Sequence, residues 1–204
     1  KYIANAAWSV NLNVKHQHNK NDGAFPLVNG VQEAFDNPFK LSQDAMAKMI
    51  DNTVNASLTA SYTGTAFNFS SQTAYQSNRR YYDKPLDGDF SPADAVTVIN
   101  NFGAEWNKVK VLTQEFKFTS PSLSTSRLKW AAGTYFFYQD NPTKQEIHFG
   151  QDAGLLGLPD NNFSTISSTK GKSYGAAFFG QGTYAVTNKL DVIAGLRYDF
   201  ENKK

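Results

Sequence analysis

The 204 residues carry 20 Lys and Arg against 18 Asp and Glu, a formal net charge of +2 with both signs mixed along the chain, and no cysteine. Disulfides and thiolate metal sites are excluded, and there is no basic stripe of the kind that holds nucleic acid. No window approaches the 18 apolar residues of a membrane helix, while a 14% share of Phe, Trp and Tyr suits strands whose two faces meet different media.

Period-two alternation dominates and predicts about seven long strands. In the first segment Ala6, Trp8, Val10, Leu12 and Val14 alternate with Ala7, Ser9, Asn11, Asn13 and Lys15. In the second, Val54, Ala56, Leu58, Ala60 and Tyr62 alternate with Thr53, Asn55, Ser57, Thr59 and Ser61. Residues 65–77 set Phe67, Phe69 and Tyr75 against Asn68, Ser70, Gln72 and Gln76. Residues 107–119 set Leu112, Phe116 and Phe118 against Glu115 and Lys117, with Gln114 on the apolar side. Residues 127–139 set Leu128, Trp130, Ala132, Phe136 and Tyr138 against Arg127, Lys129 and Gly133. Residues 173–186 set Ala176, Phe178, Tyr184 and Val186 against Ser173, Gln181 and Thr183. The last segment is the cleanest, with Leu190, Val192, Ala194, Leu196, Tyr198 and Phe200 against Asp191, Gly195, Arg197, Asp199 and Glu201; only Ile193 interrupts its polar face.

These segments run near a dozen residues, about twice the usual soluble strand and long enough to span a tilted path across a bilayer. Short turns at Thr63-Gly64, residues 120–124 and Thr187-Asn188-Lys189 alternate with long links at 16–52, 79–106 and 140–172. That alternation is the habit of outer-membrane barrels, with turns facing the periplasm and loops outside. The first link holds a candidate helix over residues 43–50 capped by Ser42. Trp8, Tyr62, Tyr75, Trp106, Tyr138, Tyr184 and Tyr198 are candidates for an interfacial girdle. The expected fold is all-β, an antiparallel transmembrane β-barrel. Seven strands do not close a bacterial barrel, so residues 1–204 are expected to be a segment of a larger wall.

Catalytic chemistry is not found, and the chain is not read as an enzyme or as a cofactor carrier. His16 and His18 are two apart and share a strand face, yet two ligands make a poor metal site, and no metal is assigned. His148 is expected to stand exposed in a loop. Asp87, Asp89 and Asp94 cluster in the second long link, where the Asp87–Asp89 spacing lacks the rest of a calcium loop and reads as a solvated turn.

Three stretches carry a family resemblance. Thr113-Gln114-Glu115-Phe116-Lys117-Phe118-Thr119-Ser120-Pro121, followed by Leu128-Lys129-Trp130-Ala131-Ala132-Gly133-Thr134-Tyr135-Phe136-Phe137, is one. Ala176-Ala177-Phe178-Phe179-Gly180-Gln181-Gly182-Thr183-Tyr184 is the second, and Thr187-Asn188-Lys189-Leu190 with Ala194-Gly195-Leu196-Arg197-Tyr198-Asp199 the third. In order and spacing they resemble the barrel of TonB-dependent, siderophore-type receptors over about residues 105–204. The resemblance implies an outer-membrane receptor that actively imports a bulky, scarce solute such as an iron–siderophore. It also implies a barrel of about 22 strands, a plug, a coupling segment and a terminal strand, all expected to lie outside these residues. A TonB-type energy-coupling protein acting through the plug, outer-membrane lipid including lipopolysaccharide, and a small-molecule metal chelate are the implied partners.

Glu115, Lys117, Arg197, Asp199 and Glu201 are expected to face the lumen, the last three towards a plug, with Gly133 and Gly195 on the same inward face. Arg79, Arg80, Tyr81 and Tyr82 join cations to aromatic faces at an outer rim. That suits an anionic chelate with planar aromatic groups; a girdle with snorkelling arginines is the other reading. A passive porin and a soluble ligand-binding β-sandwich remain the alternative functions.

Overall fold

In a bilayer the backbone can satisfy its hydrogen bonds only within the protein, and here it does so through one antiparallel sheet. The computed structural model describes residues 1–23, 31–36, 43, 45–90, 92–121 and 125–204. In chain order the elements are β1 (Tyr2–Ile3), β2 (Trp8–Gly23), α1 (Val31–Asp36), β3 (Ala47–Thr63), β4 (Asn68–Tyr82), β5 (Leu86–Asp87) and β6 (Val96–Asn100). They continue with β7 (Lys108–Thr119), β8 (Leu128–Phe149), a 3-10 turn (Ala153–Leu156), β9 (Phe163–Thr187) and β10 (Leu190–Lys203). The long strands follow one another as a meander, β2-β3-β4-β7-β8-β9-β10, every pair antiparallel. These are the seven strands that the alternation predicts. Among the described residues no second sheet packs on this one.

Register carries the alternation from strand to strand. Val10, Ala60, Ser71, Phe116, Thr134, Phe178 and Tyr198 form one cross-strand row on the apolar face. The neighbouring row, Asn11, Thr59, Gln72, Glu115, Tyr135, Ala177 and Asp199, lies on the other face. Because a one-residue slip exchanges the faces, this pattern fixes the pairing. Leu12, Leu58, Leu112, Phe136, Phe178 and Leu196 are exposed on the apolar side. An apolar patch of that extent is costly in water and natural against lipid. Its turn-side margin is a chain of touching rings: Trp8–Tyr62 at 5.1 Å between centroids, Tyr62–Phe67 at 5.5 Å, Phe67–Phe118 at 5.9 Å and Phe118–Phe69 at 4.8 Å.

The long links are shorter than expected because the strands run on past the apolar belt. β2 continues to Gly23, β3 starts at Ala47 and β4 ends at Tyr82. β8 and β9 stay paired from Leu128–Tyr184 to Phe149–Phe163, leaving only residues 150–162 as the third link. Above the belt both faces meet water, so alternation is no longer required and the strands lose their sequence signature. The expected helix over 43–50 gives way to strand from Ala47, where β2 and β4 pair on either side of β3. Ladder formation overrides a local helical preference there. Ser42, Asp44 and residues 122–124 of the second short turn lie outside the described residues.

A reciprocal motif locks β8 to β9. Gly133-x-x-x-Phe137 on one strand faces Gly175-x-x-x-Phe179 on the other, centred on the Tyr135–Ala177 pair. Gly133 therefore sits opposite Phe179, and Gly175 opposite Phe137. A Cβ at Gly133 would fall 2.5 Å from the Phe179 ring and from the Phe116 carbonyl; one at Gly175 would fall 2.5 Å from the Phe137 ring and the Phe200 carbonyl. The rings use the space that the absent side chains leave. At Gly195, by contrast, a Cβ would meet its nearest atoms at 3.4–3.5 Å. Gly133→Val should destabilise the folded protein by about 1–3 kcal/mol, whereas Gly195→Ala should change it by less than about 0.5 kcal/mol. Urea unfolding in lipid vesicles measures both, and equal effects would remove the ring-on-glycine account.

Candidate functional site

The polar face carries the candidate functional side chains, and strand parity decides which groups share it. Glu115, Lys117, Arg197, Asp199 and Glu201 all lie on this face: Glu115 shares a row with Asp199, and Lys117 shares the adjacent row with Gly133, Phe179 and Arg197. Arg197 and Asp199, two residues apart on β10, form a forked ion pair with Nε–Oδ2 at 2.9 Å and Nη2–Oδ1 at 2.8 Å. Both side chains are more than half exposed, so the pair orients charge more than it stabilises the fold. Between these charges runs an aromatic shelf, with the Tyr135 and Phe137 rings stacked at 6.4 Å beside Phe179. Sequence reading missed that shelf. Its signal is the repeated Gly-x-x-x-Phe spacing on strands destined to pair. A concavity of about 510 Å³ opens mostly on the same face, lined by Asn13, Lys15, Asn55, Ser57, Gln76 and Thr113 among others.

The four rim residues do not share a face. Arg80 pairs with Asp51 on the polar side, and Tyr82 follows it there. Arg79 and Tyr81 point to the opposite side, where the Arg79 guanidinium lies 4.8 Å from the Tyr81 ring centre. Asp51 is the hub on the polar side. It accepts from Arg80 Nε at 2.9 Å and Nη2 at 2.7 Å, from Asn78 Nδ2 at 2.8 Å and from Thr53 Oγ1 at 2.9 Å. Burial pushes its carboxyl up, but these donors and the Arg80 charge outweigh it and hold Asp51 below the usual carboxylate range. The Asp51 side chain is 7% exposed and that of Arg80 54%, so the cation is anchored yet open to solvent.

The acidic link is built differently from a solvated turn. Asp87 is buried, and Gln43 Nε2 donates to its carbonyl at 2.7 Å. Asp89 caps the start of β6, its Oδ2 accepting from the backbone N–H groups of Ala95 and Val96. Asp152 Oδ2 accepts from Asp94 N at 2.9 Å, tying the second link to the third. β6 is thereby laid along the outer end of β8, where β7 has already ended. His148 belongs to β8, half-buried and 3.0 Å from Ser164 Oγ on β9, rather than exposed in a loop. His18 Nδ1 lies 2.5 Å from Asn52 Oδ1 across the β2–β3 pair. Trp106 is not on the belt but in the turn before β7, with Lys170 Nζ 5.0 Å and Lys144 Nζ 5.8 Å from its ring centre. Among the described residues no group of three or more His, Cys, Asp or Glu is placed to hold a metal ion.

A lipid-facing belt, a polar opposite face, tight turns at one end and strands prolonged at the other define the wall of an outer-membrane barrel. The chain matches the family model described as TonB dependent receptor-like, beta-barrel over residues 4–204, and it belongs to that family. Its barrel class is that of bacterial outer-membrane receptors that transport in a TonB-dependent way. The match begins well before residue 105, where the recognisable motifs start. No solved structure matches the chain.

Because folding lowers the Asp51 pKa, the rim gains stability from this carboxylate at neutral pH and loses it as pH falls through the folded value, below the ordinary carboxylate range. A spin label at Ile50 should stay immobile from neutral to mildly acidic pH and loosen only below it. Asp51→Asn should weaken the protein by about 1–2 kcal/mol and remove that pH dependence. A transition that survives in Asp51→Asn would assign it to another group.

Proposed function

We propose that this barrel wall serves the uptake of an iron–siderophore, an anionic metal chelate too large to diffuse through a passive pore, with energy delivered through a plug and a TonB-type coupling protein. The observation that carries the reading is the outer end of the polar face. There Arg80, anchored by Asp51, presents an exposed guanidinium on the strand face that Tyr82 shares two residues further on. A cation next to an aromatic face suits a planar anionic chelate, which offers both oxygens for the fork and rings for stacking. Arg79 and Tyr81, on the other side of β4, are assigned to the lipid-side rim.

The charges lower on the same face, Glu115, Lys117, Arg197, Asp199 and Glu201, are assigned to plug contact. Their mixed signs suit a polar, wet interface that can part and reform without exposing apolar surface. The apolar belt and the family membership support a working place in the bacterial outer membrane.

The test combines binding and uptake in the full-length protein. A panel of ferric catecholate and hydroxamate chelates should include one that binds and that enters cells only while the proton-motive force and the coupling protein are present. Tyr82→Ala should weaken its binding about tenfold, equivalent to about 1.4 kcal/mol, and Arg79→Ala should leave it unchanged. Uptake that persists after de-energising the cells would make the barrel a passive pore. Binding of none of the chelates would remove the iron–siderophore assignment.

A further inference from the structure

We propose that the polar face of the prolonged β8–β9 hairpin reads a neutral, hydroxyl-bearing arm of the imported solute and turns away arms that carry charge. The inference deepens the chelate reading and rests on it: Arg80 and Tyr82 take the anionic head, and the hairpin takes what trails from that head.

Strand parity sorts charge above the belt. Over residues 139–147 and 165–173 every charged side chain, Asp140, Lys144, Glu146, Lys170 and Lys172, stands on the face that continues the apolar belt. The polar face of the same stretches carries no charge. Its exposed positions are the amides and hydroxyls of Asn141, Thr143 and Gln145 on β8 and of Thr165, Ser167 and Thr169 on β9. Lower on that face Glu115, Lys117, Arg197 and Asp199 supply charge freely, so neutrality belongs to the hairpin and not to the face as a whole. Both faces meet water at this height, and water alone does not sort charge by parity.

The two faces also differ in what their side chains already touch. Outside, Lys144 Nζ lies 4.2 Å from the Phe102 ring centre and Lys170 Nζ 3.8 Å from Glu105 Oε2, so the second link engages these charges. On the polar face the side chains of Asn141, Thr143, Ser167 and Thr169 hold no hydrogen-bond partner among the described residues. Gln145 is oriented by donating from Nε2 to Asn100 Oδ1 at 2.7 Å, and its own carbonyl oxygen stays able to accept.

This surface lies level with the rim. Gln76, Val111, Gln139 and Ser173 form one cross-strand row, and Arg80, Thr143 and Thr169 each stand four residues above it on their strands. A head held at Arg80 therefore has the Thr143–Thr169 pair at its own height, two strands away. Aromatic rings close the neutral stretch at both ends, with Phe137 below and the Phe149–Phe163 pair, stacked at 4.9 Å, above. Amides offer a donor and an acceptor from one planar group, which matches the neighbouring hydroxyls of a sugar-like arm. A carboxylate or ammonium laid on the same face gives up hydration and meets no countercharge.

Ferric catecholate chelates with one common head and an arm ending in a glucosyl, methyl, carboxylate or ammonium group test the assignment. Their binding to detergent-solubilised full-length protein is followed by tryptophan fluorescence quenching. The wild type should bind the glucosyl form at least about tenfold more tightly than each of the others. Thr169→Lys should reverse the order in favour of the carboxylate arm, while Ser168→Lys, on the opposite face, should keep the wild-type order; heat-modifiable migration confirms that each variant is folded. Equal binding of all arms, a methyl arm as good as the glucosyl one, or an order unchanged in Thr169→Lys would overturn the proposal and leave the chelate reading standing. Binding of none of these chelates would remove that reading, and this inference with it.

Discussion

The structure depends on the backbone hydrogen bond in a medium that offers no water. Every N–H and C=O within the hydrocarbon must find a partner in the protein, and a sheet can provide one only through unbroken neighbour-to-neighbour ladders. The seven-strand meander follows from that requirement, as does the single register that runs from β2 to β10. The same requirement makes the edges of β2 and β10 costly in a bilayer until further strands pair with them. Neighbouring pairs then do the local work. Rings settle over glycines between β8 and β9, and aromatic side chains link β2, β3, β4 and β7 along the turn side.

Once register is fixed, the two faces become two separate chemistries. On the lipid side, apolar rows are bounded by rings below and by lysines above. On the polar side, paired charges and an aromatic shelf form a wettable wall. The rim segment Arg79-Arg80-Tyr81-Tyr82 shows how parity divides labour along four consecutive residues. Two of them lie on the apolar side of the sheet and two on the polar side, where Asp51 fixes Arg80 in place. Function in such a wall is a matter of which residue is odd and which is even. The prolonged β8–β9 hairpin adds a third region, a stem that lifts the third link well above the belt and carries β6 on its flank.

The belt was legible in the sequence because two media act on alternate residues there. Val54 to Tyr62 and Leu190 to Phe200 write the pattern directly, and the structure pairs them as that pattern requires. Above the belt, residues 140–149 and 163–172 are strands in water on both sides, so nothing in their composition separates them from loop. The helix expected near Met46 and Met49 failed for a related reason, since its local preference is outweighed by ladders formed with residues far away in sequence. Asp87, His148 and Trp106 depart from their expected settings because their partners, Gln43, Ser164 and the pair Lys144 and Lys170, come from distant segments that only the fold brings together. The Gly133–Phe179 and Gly175–Phe137 pairs were readable in principle, but only once the register was known.

The most direct test of the account is a lipid-accessibility scan of β8, a strand paired on both sides through the belt. The chain has no native cysteine, so single Cys substitutions at positions 128–138 of the full-length protein can each take a spin label in bilayers. The account predicts that oxygen accessibility peaks at positions 128, 130, 132, 134, 136 and 138, and that a water-soluble relaxant reaches the odd positions instead. Labels shielded from both lipid and water at the even positions would mean that this face packs against protein, and the membrane wall would be contradicted.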